Sequence, residues 1–154
     1  MTDGKITPDT MIFERRLAAA PERVFRAWAD REERIQWDVP GDDWVIAEFS
    51  QDFKEDGVEH SRFGPRENPD AESYGRYLLI VPNRRIVSAG VMRSAKSGVA
   101  SSTTMMTLEF EPDGAGTLLT LIDQSVFLGE GETAEMRASG WGSILDKLER
   151  FLAA

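Results

Sequence analysis

Hydrophobic residues recur along this chain with two different periods, and the change between them separates its elements. From about residue 132 to 152, Ala134, Ala138, Trp141, Leu145, Leu148 and Leu152 fall every three or four positions, and Ile144 and Phe151 widen the stripe. This spacing predicts one long amphipathic helix, about 30 Å from end to end. Between 44 and 127 the period is two. WVIAEFSQDF, residues 44–53, sets Val45, Ala47, Phe49 and Phe53 against Glu48, Ser50 and Asp52, as a half-buried strand requires. Asp56 and Gly57 form a hairpin signal into VEHSRFG. YGRYLLIV, RRIVSAGVM, SSTTMMTLEFE and TLLTLIDQSVF follow, broken by Pro82 and Asn83 and by a second hairpin signal at Asp113 and Gly114.

Nearer the start, MIFERRL (11–17) reads as a strand and PERVFRAWA (21–29) as a helix. Pro21 suits the first turn, where its missing N–H is no loss, and Val24, Phe25 and Trp28 fall at helical spacing. A second helical turn over 30–37 presents Ile35 and Trp37 before Pro40 and Gly41 stop it. Residues 1–10 are expected to be a flexible terminus and 11–154 one domain. The stretch 64–73, GPRENPDAES, has no apolar period and is expected to be a mobile loop that could cover a site. The predicted order is strand, one or two short helices, about six antiparallel strands and one long helix, an α+β arrangement.

Only the last helix is long enough to cover the buried face of such a sheet, so it is expected on the concave side. Gly140 and Gly142 flank Trp141 within it. A glycine inside a helix costs about 1 kcal/mol relative to alanine, and two uses would offset that. Either the backbone approaches the sheet closely, or space is left beside Trp141.

Composition narrows the function classes. The 154 residues, 41% hydrophobic and 29% charged, suit one globular domain. No run approaches the roughly 20 apolar residues of a membrane span, and the first residues lack a basic flank followed by an apolar stretch. A cytoplasmic protein without membrane insertion is the expectation. The absence of cysteine removes disulfides, thiolate metal sites and cysteine nucleophiles. A net charge of −9 repels phosphate backbones, which argues against nucleic-acid partners.

Neither GxxxxGK[ST] nor GxGxxG is present, nor HExxH, and the acids Glu48, Asp52, Glu55, Asp56 and Glu59 lack calcium-loop spacing. No metal or cofactor is therefore expected. His60 is the only histidine, and strand alternation turns it away from the adjacent Glu59. It is either a structural residue or, with its near-neutral pKa, a candidate acid/base. The remaining chemistry is aromatic and sulfur-rich. Trp37, Phe49, His60, Tyr77, Met92, Met105, Trp141 and Leu145 are the candidate walls of an apolar ligand site, each with plain core as its other reading. Arg62, Arg76 and Arg93 lie in strands and could hold an oxyanion if they faced inward.

Four segments carry a resemblance. FERRLAAAPERVFRAWADREERIQW, with Pro21, Val24, Phe25, Ala27, Trp28 and Trp37, resembles the opening of the START-related, birch-pollen-allergen-like (SRPBCC) superfamily. The likeness is strongest to the branch related to the C-terminal domain of the heat-shock-protein-90 ATPase activator. GRYLLIVPNRRIV, with Pro82 and Arg85 at the bend, is similar to the middle strand pair of that branch. EFEPDGAGTLLTLIDQSVF is similar to its last hairpin, and GW…LDKLERFL to its final helix.

The resemblance, over about 11–153, implies a helix-grip fold: a curved antiparallel sheet of about six or seven strands around the C-terminal helix. Between them it implies a cavity like those that hold lipids, steroids and polyketides in other members. A homodimer is compatible with this branch. The co-chaperone's additional N-terminal domain has no counterpart here, so that role is not carried over. The expected function is binding of a small apolar or amphipathic molecule. The alternatives are a polyketide cyclase or dehydratase with His60 or a tyrosine as acid/base, and a protein-interaction or stress-response module using an exposed face.

Overall fold

The computed structural model describes residues 5–154. In chain order the elements are β1 (Thr7–Leu17), α1 (Pro21–Ala29), α2 (Arg31–Arg34), β2 (Trp44–Gln51), β3 (Val58–Pro65), β4 (Ala71–Val81), β5 (Arg85–Ser94), β6 (Ala100–Asp113), β7 (Gly116–Phe127) and α3 (Ala134–Ala153). The seven strands form one antiparallel sheet in the order β1-β7-β6-β5-β4-β3-β2. The chain thus meanders from β2 to β7, and β1 closes the far edge against β7. This is the α+β helix-grip arrangement that the sequence pattern implied.

Local chemistry sets the ends of the helices. Pro21 opens α1, which buries Val24, Phe25, Ala27 and Trp28. Asp30 caps α2 by accepting from the Glu32 amide at 2.8 Å, and Thr133 caps α3 by accepting from the Met136 amide at 3.2 Å; each side chain satisfies an amide that the first turn leaves unpaired. The core lies between α1, the C-terminal half of α3 and the far half of the sheet. Leu108, Phe110, Leu119, Leu121, Leu145 and Leu148 are all at most 1% exposed there.

Three expectations need correction. The first strand starts at Thr7, paired with Phe127, because pairing with β7 continues where burial does not. Of the terminus expected to be flexible, residues 1–4 lie outside the described residues. Half of the stretch 64–73 is strand: β3 runs to Pro65 and β4 starts at Ala71. Asp70 ties down the turn between them, accepting from the Ser94 hydroxyl at 2.6 Å and the Lys96 amide at 2.9 Å. A pinned turn of that length is no lid. Finally, β2 carries a bulge between Ile46 and Glu48. The extra residue reverses which side chains face inward, so Trp44 and Ile46 take the positions that straight alternation gives to Val45 and Ala47.

Among the described residues no helix is long and apolar enough to cross a membrane.

Candidate functional site

A cavity of about 480 Å³ lies between the middle of the sheet and the N-terminal half of α3. Its origin is the size of the inward side chains. Ser61 on β3, Ala71, Ser73 and Gly75 on β4, and Ser88 and Gly90 on β5 all line it. None reaches far enough to touch the helix. At Gly90 a Cβ would sit 2.1 Å from the Tyr74 carbonyl oxygen, so the strands close on each other there as only glycine permits. Around the small residues, Trp44, Phe63, Met92 and Met106 of the sheet and Trp141 and Ile144 of α3 supply apolar surface.

The glycines around Trp141 can now be assigned. A Cβ on Gly140 would meet nothing nearer than the Pro40 Cβ at 3.9 Å, and on Gly142 nothing within 4 Å. Neither is required by close packing against the sheet. Gly140 is part of the cavity wall, beside Trp141.

Two buried charge networks bound the cavity. At one end Asp123, 0% exposed on β7, accepts from Arg137 Nη1 at 3.0 Å and from the Trp141 indole N–H at 2.8 Å. Arg137 also donates from Nε to Glu132 at 2.7 Å and from Nη2 to the Ser102 hydroxyl at 2.7 Å. Burial opposes the charge of Arg137, but the carboxylates of Glu132 and Asp123 outweigh it and raise its pKa.

At the other end Arg34, 5% exposed, donates from Nε to Asp38 at 2.8 Å and from Nη1 and Nη2 to Glu59 at 3.0 and 3.2 Å. Its guanidinium lies over the rings of Trp28, Trp37 and Phe49. The Tyr77 hydroxyl donates to Glu59 and accepts from the Gln51 amide at 3.0 Å. Desolvation works against Arg34 as well, and again the two carboxylates win, Glu59 before Asp38. Asp38 itself is pushed up to about 6, mainly by burial, with the charge of Glu59 adding to it and Arg34 opposing. Burial also pushes the Tyr77 phenol up, with Glu59 adding to it.

The expected site residues fall into three groups. Met92 and Trp141 line the cavity. Trp37, Phe49, Tyr77 and Leu145 are core residues, between 0% and 7% exposed; Trp37 stacks edge-on against Trp28 at 4.6 Å. Tyr77 meets the cavity only through Glu59. Met105 and His60 point to the outer face of the sheet. Met105, 44% exposed, sits between the inward Thr104 and Met106, and His60 sits between the inward Glu59 and Ser61. The His60 ring bonds Glu72 at 2.9 Å and stacks on Tyr74 at 4.4 Å.

Arg62 and Arg76 are not cavity walls and donate to the Pro69 and Asp56 carbonyls, whereas Arg93 is a wall residue whose guanidinium donates to Glu72. The other two arginines of the cavity wall, Arg34 and Arg137, come from helices. Two signals for the Asp123 end were present in the sequence. Leu119, Leu121, Asp123, Ser125 and Phe127 are one alternating face of an apolar strand, and Arg137 precedes Trp141 by one helical turn. A carboxylate on an inward face and a cation on an apolar stripe point to each other.

Comparison with known proteins agrees with this architecture. The chain matches the family of activator of Hsp90 ATPase homolog 1-like proteins over residues 18–153. It is 31% identical to an uncharacterized protein from Rhizobium leguminosarum, with 99% of each chain covered and a TM-score of 0.88. It is 33% identical to a protein from Rhizobium loti, with 96% of this chain and 99% of that one covered and a TM-score of 0.84. The AHSA1 protein from Silicibacter pomeroyi has the same fold at 23% identity, with a TM-score of 0.76 over 94% of this chain and 98% of its own. No curated protein matches the chain. The chain belongs to the activator of Hsp90 ATPase homolog 1-like family, within the superfamily that its opening helix resembles.

Proposed function

We propose that this family member binds a small, largely apolar molecule in the cavity between sheet and helix. The observation that carries the reading is the cavity itself: about 480 Å³ with walls of Trp, Phe, Met and Ile, within the size range of small-molecule pockets. Burying apolar ligand surface against such walls yields about 25 cal/mol per Å². The polar groups at the two ends are already hydrogen-bonded to each other, so an apolar ligand body need not break them.

The enzymatic alternative draws little support from the placement of its candidates. A general base must reach the proton it removes and be poised near the working pH. His60 is on the other side of the sheet, and the Tyr77 phenol is shifted away from neutrality.

Titration with Nile red, an uncharged apolar dye, tests the reading. Saturable one-to-one binding to the wild type is expected, lost at least tenfold in Gly140→Leu, whose side chain would enter the cavity. Gly142→Ala is the matched control, since open space surrounds that position. Equal binding by Gly140→Leu, with its fold intact by circular dichroism, would remove the cavity as the site.

A further inference from the structure

Behind the main cavity lies a second, much smaller chamber of about 30 Å³. Arg34, Glu59, Gly75, Ser88 and Met106 are walls of both. The small chamber has room for a group about the size of one or two waters. Trp28 also lines it. Trp28 is 1% exposed, and its indole N–H has no hydrogen-bond partner among the described residues. A buried donor left unpaired costs about 1–3 kcal/mol, so a ligand atom that accepts this proton would recover much of that.

The opposite requirement comes from Glu59. Its Oε2 accepts only from Arg34 Nη2, at 3.2 Å, and an ionised carboxylate oxygen can take more than one donor. The chamber therefore offers one donor and one acceptor to a small group. Charge restricts the choice further. Arg34 is matched by Asp38 and Glu59, and Arg137 by Asp123 and Glu132. Each end thus holds two carboxylates around one guanidinium, and every guanidinium nitrogen already donates at least once. Arg93, the third arginine of the wall, is paired with Glu72, so an incoming carboxylate would find each cation already matched and would face the excess carboxylates of the two ends.

We infer that the ligand is an uncharged amphiphile whose hydroxyl group enters the small chamber, donating to Glu59 and accepting from the Trp28 indole, while its apolar body fills the main cavity. The inference rests on the cavity reading above and adds the chemistry of the head group. An ammonium head could donate but not accept, and a carboxylate could accept but not donate.

Displacement of Nile red by decanol, decylamine and decanoate at pH 7.5 tests it. Decanol is expected to displace the dye at a concentration at least ten times lower than decanoate, and lower than decylamine. Trp28→Phe should weaken decanol about threefold or more while leaving decylamine unchanged. Glu59→Gln should narrow the gap between decanol and decanoate at least threefold. Decanoate equal to decanol, or decylamine ahead of it, would overturn the hydroxyl assignment. So would displacement by none of the three while Nile red itself binds, although the cavity reading would survive that result. Failure of Nile red to bind removes both. The wild-type series decides the matter even if either variant fails to fold.

Discussion

Strands β6 and β7 and strands β4 and β5 present one concave face to one helix, yet they do opposite things with it. In the first pair Leu108 lies opposite Leu121 and Phe110 opposite Leu119, all at most 1% exposed. In the second pair Gly75 lies opposite Gly90 and Ser73 opposite Met92. Both pairs are antiparallel, and over these positions it is the inward volumes that differ. Large side chains turn the gap under the helix into core, and small ones leave it as cavity. Packing and open space are therefore concentrated on different stretches of the sheet, and substitutions can separate them.

The largest effect is expected on the packed side. Phe110→Ala removes a ring that stacks edge-on with Phe25 at 5.4 Å, and should cost about 4 kcal/mol in urea denaturation. A cost below about 1 kcal/mol would mean that this half is not the core. Next comes the buried pair that joins the two halves. Asp123→Ala leaves Arg137 and the Trp141 indole without their shared acceptor and should cost about 3 kcal/mol; a neutral result would sink the view of that network as structural.

A smaller effect concerns pH. The Asp38 carboxyl titrates at about 6 in the folded protein, above its ordinary value of 3.8, so folding favours its protonated form. Its contribution is full below about pH 4 and is lost as the pH rises through 6. Relative to Asp38→Asn, the wild type should lose melting temperature between those values and remain level above about pH 7. Parallel curves for the two proteins would refute the assignment. Least of all, Ser73→Leu should change stability by under about 1 kcal/mol, because the added atoms enter existing space rather than forcing neighbours apart. The same change should weaken Nile red binding. A penalty as large as that of Phe110→Ala would show that the open half is as tightly packed as the other.

Much of this contrast could be read in the sequence, and the misses have identifiable causes. Elements that bury a face announced themselves by period, which is why α1, the hairpin at Asp113 and Gly114, and α3 lie where expected. A bulge leaves no periodic trace, and the one in β2 hid Trp44 as a cavity residue. Large apolar residues were the natural candidates for a ligand wall, but the largest ones pack best and so become core, as Trp37 and Leu145 did. The cavity is marked by the reverse signal, small residues at inward positions, and glycine and serine read as loop or strand-breaking types. Arg34 had only a weak signature, its i,i+4 spacing to Asp38; its other partner, Glu59, lies on another element, and only the fold brings the two together.

The sheet's strand order also has a consequence in time. Every strand from β2 to β6 finds its neighbour as the next one made, whereas Thr7 of β1 pairs with Phe127 of β7. During synthesis the first strand must therefore wait for nearly the whole chain before its partner exists. Such long-range closure slows folding, because the entropy of a large loop is lost before the contact rewards it. The strand that carries Asp123 and closes onto β1 is also the last of the sheet to be made, and the helix that carries Arg137 and Trp141 comes after it. The polar end of the cavity is thus completed only after the rest of the sheet has been made, and until then the cavity lacks that wall.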